Sequence, residues 1–193
     1  MIYVYDDILT PEETNIIEDY FTSRKIPWYY QISTLHPSDV SNNSDKNTYE
    51  TPLFTHVFLE HSTELDDNTL VRTMFLKFIS TIKADCSEML TVRANISLKH
   101  SIPDGFHTTP HCDIADHTKY KNPRVVIYYV NDSDGDTIFF TRKYGDEKQD
   151  EYEVESKVSP KKGRFVLFSN EHFHAQTHPQ IEEKRIVLVY NFY

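Results

Sequence analysis

The sequence predicts a mainly β fold of the α+β class, a barrel-like body of strands with two helices N-terminal to it. Three observations carry that expectation. Two amphipathic helical patterns fall before residue 85, strand-like patterns separated by short turns fill the remainder, and no strand–helix alternation links them, which argues against a doubly wound parallel sheet. The composition agrees. Among 193 residues, 13 are Tyr, 12 Phe and 1 Trp, against only 4 Gly, a balance that suits aromatic-rich sheets better than a glycine-rich nucleotide-binding fold. A chain of this length fits one domain and can bury roughly 70% of the surface its unfolded form exposes.

The first helix begins at Thr10-Pro11-Glu12-Glu13. Thr10 is a good N-cap, Pro11 takes the first helical position, and Glu13 falls where a capping-box carboxylate belongs. Ile16, Ile17, Tyr20 and Phe21 then recur at helical spacing to about Ser23. Pro27 to Tyr49 reads as a strand and then a polar loop, least structured at Asn42, Asn43 and Ser44, and Thr51 to Glu60 as another strand. Leu70, Val71, Met74, Phe75, Phe78, Ile79 and Ile82 trace one face of a second helix from Asp67 to Ala84, a core face rather than a cofactor box. After Cys86 the period becomes two: Val92, Ala94, Ile96 and Leu98 alternate with Arg93, Asn95, Ser97 and Lys99. Further strands are expected at Arg124 to Val130, Thr137 to Phe140, Glu151 to Val158, Arg164 to Phe168 and Arg185 to Phe192.

Charge and cysteine usage narrow the function. Twenty Lys and Arg against thirty Asp and Glu give a net charge of −10, which argues against nucleic acid as a partner. Cys86 and Cys112 are the only cysteines, too few for a disulfide framework or a Cys-rich zinc site. No run approaches the ~18 apolar residues of a membrane span, and the acidic start lacks the basic segment of a signal peptide. The expectation is a cytoplasmic protein with no membrane partner.

His111-Cys112-Asp113 places an imidazole and a carboxylate two positions apart, on one side of an extended segment. Alone this is weak evidence. It gains weight from the C-terminal order: a glycine-led strand from Gly163, histidines at 172, 174 and 178, then a strand that opens on Lys184-Arg185. Two histidines and one carboxylate form the facial triad of non-heme iron oxygenases. Zinc accepts the same ligands, so on the residues alone a metal hydrolase or a non-catalytic binding module stays open.

HCD, RVVIYYVND, DGDTIFF, KKGRFVLF, HFHA and KRIVLVYNF together resemble the Fe(II)/2-oxoglutarate-dependent dioxygenases, especially the prolyl-4-hydroxylase-like branch, from about Arg93 to the C-terminus. The resemblance implies a double-stranded β-helix, a cupin-like jelly-roll barrel, flanked by the N-terminal helices. It implies one oxygenase domain over 1–193, with 1–90 as support and 91–193 as catalytic strands. His111, Asp113 and His174 become the metal ligands and catalytic centre. His174 is preferred to His172 and His178 because the family's histidine follows the glycine-led strand closely and precedes a small residue, here Ala175. Arg185, 11 residues later, becomes the cation for the far carboxylate of 2-oxoglutarate, Tyr129 a hydroxyl to the same carboxylate, and Asn95 a polar contact on its strand. Tyr128 then faces the other way.

The implied cofactors are Fe(II), 2-oxoglutarate as co-substrate and O2, with ascorbate as an accessory reductant. The implied reaction hydroxylates an unactivated C–H bond and releases succinate and CO2. Asp113 occupies the position that a halide takes in halogenases. The substrate is a peptide, amino acid or small molecule, with peptidyl proline the most specific choice. Asp134-Gly135-Asp136-Thr137 lacks one glycine of the family's G-G-x-T turn. Ser38 to Asn47 and His100 to Pro110 are candidate lids. Cys112 should point away from its neighbours' ligand side. His172 and His178 otherwise read as exposed loop residues, and His36, His56, His61, His100, His107 and His117 as surface or loop residues.

Overall fold

In the computed structural model, which describes residues 1–33, 47–67, 69–114, 119–147 and 152–193, the first helix starts where its capping signal places it. Helix α1 (Pro11–Thr22) is closed by a reciprocal pair: the Glu13 N–H donates to Thr10 Oγ1 at 3.2 Å, and the Thr10 N–H donates to Glu13 Oε2 at 2.7 Å. Two backbone donors left over by a helix start are thereby paired. The helix buries Thr14, Ile17 and Phe21. Helix α2 (Thr69–Ile82) buries Val71, Met74, Phe75, Phe78 and Ile79. It is shorter than expected at its C-terminal end because Lys83 adopts a φ of 53°, outside the right-handed helical region.

Strands β1 (Ile2–Tyr5), β2 (Tyr29–Gln31), β3 (Leu53–Glu60), β4 (Thr63–Glu64), β5 (Met89–Leu98), β6 (Arg124–Tyr129), β9 (Phe165–Ser169) and β11 (Lys184–Phe192) form an antiparallel sheet. Its order is β1-β9-β6-β11-β5-β3-β2, with β4 paired to β3. A second antiparallel sheet contains β7 (Thr137–Lys143), β8 (Val154–Val158) and β10 (His172–Gln176), in the order β10-β7-β8. The fold is therefore mainly β with two helices among the described residues. The strands divide between two antiparallel sheets, as a double-sheet jelly roll requires, while closure into one barrel is not seen among the described residues.

Strand alternation decides what each face of the large sheet does. Val126, Tyr128, Ile186, Leu188 and Tyr190 join the helices in one core, where Phe75 stacks on Tyr190 at 4.9 Å and Phe78 on Phe165 at 4.4 Å. Val125, Ile127, Tyr129, Val187 and Val189 pack on the other side with Phe139 and Val158 of the small sheet. Both faces are covered, so β6 and β11 read as nearly continuous apolar runs. Tyr128 and Tyr129 lie on opposite faces, as expected.

Three strands escaped the sequence reading. β1 and β4 are short, and β10 occupies the expected turn after the glycine-led strand. Of the candidate lids, Ser38 to Asn47 lies, apart from Asn47, outside the described residues, as do His36, His117 and Glu151. The second is anchored in its later part: Thr108 and Thr109 are buried, and the Thr108 N–H donates to Gln176 O at 2.8 Å. Among the described residues no helix is long and apolar enough to cross a membrane.

Candidate active site

Backbone pairing brings the two histidines together. His111 and His174 form an antiparallel bridge in which each N–H donates to the other's carbonyl at 3.0 Å. Residues paired this way project to the same side of the ladder, and the two imidazole centroids are 4.6 Å apart. Asp113, two residues beyond His111, joins them: its Oδ1 lies 3.5 Å from His111 Nε2 and 3.6 Å from His174 Nε2. One ligand atom from each of the three lies within 4.8 Å of the others.

The surroundings aim these groups. His111 Nδ1 is 3.0 Å from Thr109 O, and His174 Nδ1 is 3.3 Å from His172 O. A carbonyl can only accept, so each Nδ1 carries the hydrogen and each Nε2 lone pair turns toward the common point. Asp113 Oδ2 is buried with no hydrogen-bond partner among the described residues. Burial would raise the Asp113 pKa, but the two imidazoles outweigh it and hold the carboxyl well below its ordinary value. Burial works against protonation of His111 too, yet the contact with Asp113 and the Thr109 carbonyl carry its pKa upward, with Arg93 opposing. A buried carboxylate with one unsatisfied oxygen and two neutral-capable imidazoles suits a divalent cation.

Beside this cluster lies a cavity of about 70 Å3, lined by the three residues together with Arg93, Asn95, Thr108, Ile127, Thr137, Gln176, Arg185, Val187 and Val189, and several times the volume one water needs. Arg185 comes from β11 and is 3% exposed. Its Nη2 donates to Thr137 Oγ1 at 2.9 Å and its Nη1 to Gln176 Oε1 at 2.5 Å, while Nε has no partner. Tyr129 Oη pairs with Thr137 Oγ1 at 2.6 Å, and the guanidinium lies 5.6 Å from the Tyr129 ring centre. Burial raises the Tyr129 pKa despite Arg185, so the phenol stays neutral. No acidic side chain forms an ion pair with Arg185 among the described residues. A buried cation held by neutral groups alone is costly unless an anion joins it.

Asn95 lines the same cavity. Gln176 and Thr137, which orient Arg185, and Gly135, which leaves room for it, were not foreseen as parts of a site. A Cβ at Gly135 would stand 2.9 Å from Thr177 O and 3.1 Å from Arg185 Cδ. Gln176 would have been legible had HFHAQ been read as a strand, since it then shares the face of His174.

The other histidines resolve differently from the expectation. His172 and His178 are 4% and 3% exposed, not surface residues. A register shift separates His172 from His174, and His172 Nε2 faces the Met1 amine at 3.5 Å. His178 spends its nitrogens on Thr51 Oγ1 at 3.0 Å and Tyr49 O at 3.1 Å. His56 and His107 are buried as well: His56 Nδ1 meets Pro27 O at 2.9 Å, and His107 Nδ1 meets Thr108 O at 2.8 Å. For His56, His107 and His178 a backbone carbonyl takes up a ring nitrogen of an imidazole that the sequence reading assigned to the surface, whereas His172 Nδ1 is buried without a partner among the described residues. Burial, with Asp113 adding to it, pushes the Cys112 thiol up to about 12, which leaves it unreactive.

The 2OG-Fe(II) oxygenase superfamily matches the chain over residues 97–193, and the chain belongs to that family. Its cofactors are therefore Fe(II) and 2-oxoglutarate, and the donor set just described fits them. No curated protein matches it significantly. Among solved structures, an oxidoreductase of the 2OG-Fe(II) oxygenase family from Burkholderia pseudomallei is 14% identical with a TM-score of 0.66, covering 99% of this chain and 84% of its own. A prolyl hydroxylase from Trichoplax adhaerens, in complex with a peptide fragment of the oxygen degradation domain of hypoxia inducible factor, is 11% identical with a TM-score of 0.60, covering 99% and 83%. The non-heme α-ketoglutarate-dependent epimerase SnoN from nogalamycin biosynthesis is 7% identical with a TM-score of 0.62, covering 99% and 77%. These three share the fold.

Proposed function

We propose that the chain is a hydroxylating dioxygenase that holds Fe(II) on His111, Asp113 and His174 and grips the distal carboxylate of 2-oxoglutarate with Arg185. One observation carries this reading: a two-histidine, one-carboxylate cluster and a buried guanidinium without an acid partner line the same cavity. When bound, the iron and its co-substrate supply the oxidation, in which 2-oxoglutarate and O2 become succinate and CO2 while a C–H bond becomes C–OH. The chain's own residues bind, orient and shield. The Thr109 and His172 carbonyls hold both imidazoles in the tautomer that presents Nε2. Arg185, oriented by Gln176 and Thr137, offers a planar fork that fixes a carboxylate. Neutral Tyr129 stands beside that fork, Asn95 offers a polar group from β5, and Ile127, Val187 and Val189 exclude water.

A zinc hydrolase would use the same three ligands but gives the buried Arg185 nothing to bind. In this reading 1–193 is one oxygenase domain, with 1–90 supporting and 91–193 carrying the chemistry. A prolyl residue in a peptide is the substrate placed first, supported by the sequence resemblance, ahead of free amino acids and other small molecules. Succinate formation from 2-oxoglutarate in air, with Fe(II), ascorbate and proline-containing peptides, tests the reading. Wild type should form succinate, and Asp113→Ala and His174→Ala should lose ~100-fold or more of it. Wild-type protein loaded with iron that forms none would overturn the dioxygenase reading; succinate that no proline peptide stimulates would overturn the choice of substrate alone.

A further inference from the structure

The site has a second unpaired guanidinium. Arg93 is half-buried on β5, on the same face as Asn95 and Ser97, and among the described residues its side chain has neither a hydrogen bond nor an ion pair. β11 pairs Arg185 with Ser97 and Val189 with Arg93. Arg93 thus stands four positions along the ladder from the level of Arg185, ~13 Å in strand rise. It lines the small cavity beside the three metal-ligand candidates. It also lines a larger cavity of about 370 Å3, shared with Asp113 and bounded by Glu60, His61, Lys119 and Tyr120, which Arg185 does not reach. Glu60 lines that cavity without pairing to Arg93.

Two cationic forks therefore line the small cavity beside the cluster, and of the two only Arg93 also lines the larger one. One is fully buried in the small cavity. The other is half-buried and also lines the larger cavity, together with Asp113. A co-substrate on Arg185 fills the first. A half-buried guanidinium that leaves water without an acid partner loses hydration with nothing to offset it, and no such partner stands among the described residues although the chain's acids outnumber its cations by ten.

We infer that Arg93 anchors an anionic group, carboxylate or phosphate, of the primary substrate, which enters through the larger cavity and presents its reacting carbon to the site from the side opposite Arg185. This rests on the dioxygenase reading and gives it a substrate class. Arg93 is then a specificity-determining residue, since a planar fork accepts a carboxylate or phosphate bidentately and has no acceptor of its own for a neutral amide or alcohol.

The test uses the full chain with Fe(II) and saturating 2-oxoglutarate, and reads succinate release stimulated by two paired probe sets. One set contains free amino acids and short peptides, each as acid and as amide. The other contains small phosphomonoesters, each with its parent alcohol. The inference expects members of one anionic arm to stimulate turnover at least about tenfold over their neutral partners, and the arm that does so tells carboxylate from phosphate. Arg93→Gln should raise the half-stimulating concentration about 10- to 100-fold, and Arg93→Lys should recover part of the loss. The affinity for 2-oxoglutarate, titrated without any probe, should move less than about twofold in Arg93→Gln. Equal stimulation by neutral partners, no stimulation by either anionic arm, or a loss of 2-oxoglutarate affinity in Arg93→Gln would each overturn the assignment. If wild type fails to bind 2-oxoglutarate at all, the dioxygenase reading has failed, a result distinguishable from the other three.

Discussion

Arg185 shows how much of the site depends on single side chains. Its guanidinium is held at both ends by neutral groups, Thr137 and Gln176, so it is oriented before any ligand arrives. Arg185→Gln should weaken 2-oxoglutarate binding about 100-fold, and Arg185→Lys should restore only part of it because an ammonium lacks the planar fork. Both are checked by co-substrate titration. Gly135→Ala should act through Arg185. Its new Cβ meets the Thr177 carbonyl and the Arg185 side chain near 3 Å, so the expected outcome is a raised KM for 2-oxoglutarate, by about 10-fold, with metal affinity unchanged. Unchanged kinetics would mean that the turn yields instead of the arginine.

Elements explain which parts of this were legible in the sequence. α1 carries its signal locally, in Thr10, Pro11 and Glu13, and the structure contains the capping box. Thr10→Ala should accordingly cost about 1 kcal/mol in urea unfolding while leaving iron affinity alone. β6 and β11 were visible as apolar runs because both faces are buried. β10 was not. HFHAQ does alternate, but over five residues with Phe173 and Ala175 as its only apolar members the signal is too short to stand out, and it becomes a strand through pairing with β7 and the bridge to His111. The choice of His174 therefore came from order and resemblance. What separates it from His172 is the register shift between them, a long-range feature that spacing cannot show. The burial of His56 and His178 was hidden for the same reason, since each is satisfied by partners distant in sequence.

At the scale of the whole molecule, the chain's two ends are tied into the sheet that carries the site. The Asp6 carboxylate, just past β1, accepts from Arg164 Nε at 2.8 Å and from Nη2 at 2.9 Å, next to β9. The Arg164 hydrogen bonds, against a smaller effect of burial, hold the Asp6 pKa below its ordinary value. A carboxyl depressed in the folded state adds stability above its unfolded pKa of about 3.9, and that contribution disappears as pH falls through the folded value. Asp6→Asn should thus cost roughly 0.5–1 kcal/mol at pH 7, and the gap should close as unfolding is measured from pH 5 toward pH 3. A gap that does not change with pH would assign the pair's role to packing.

The central claim is that one cavity holds both a metal-binding triad and a co-substrate cation. It is tested most directly by adding Fe(II) and then 2-oxoglutarate to the metal-free protein without oxygen, and following the weak visible charge-transfer band that arises when a keto acid chelates Fe(II). Wild type should develop the band, His174→Ala should lose it, and Arg185→Ala should reach it only at much higher 2-oxoglutarate. Wild-type protein that binds iron but shows no band at saturating 2-oxoglutarate would contradict the account.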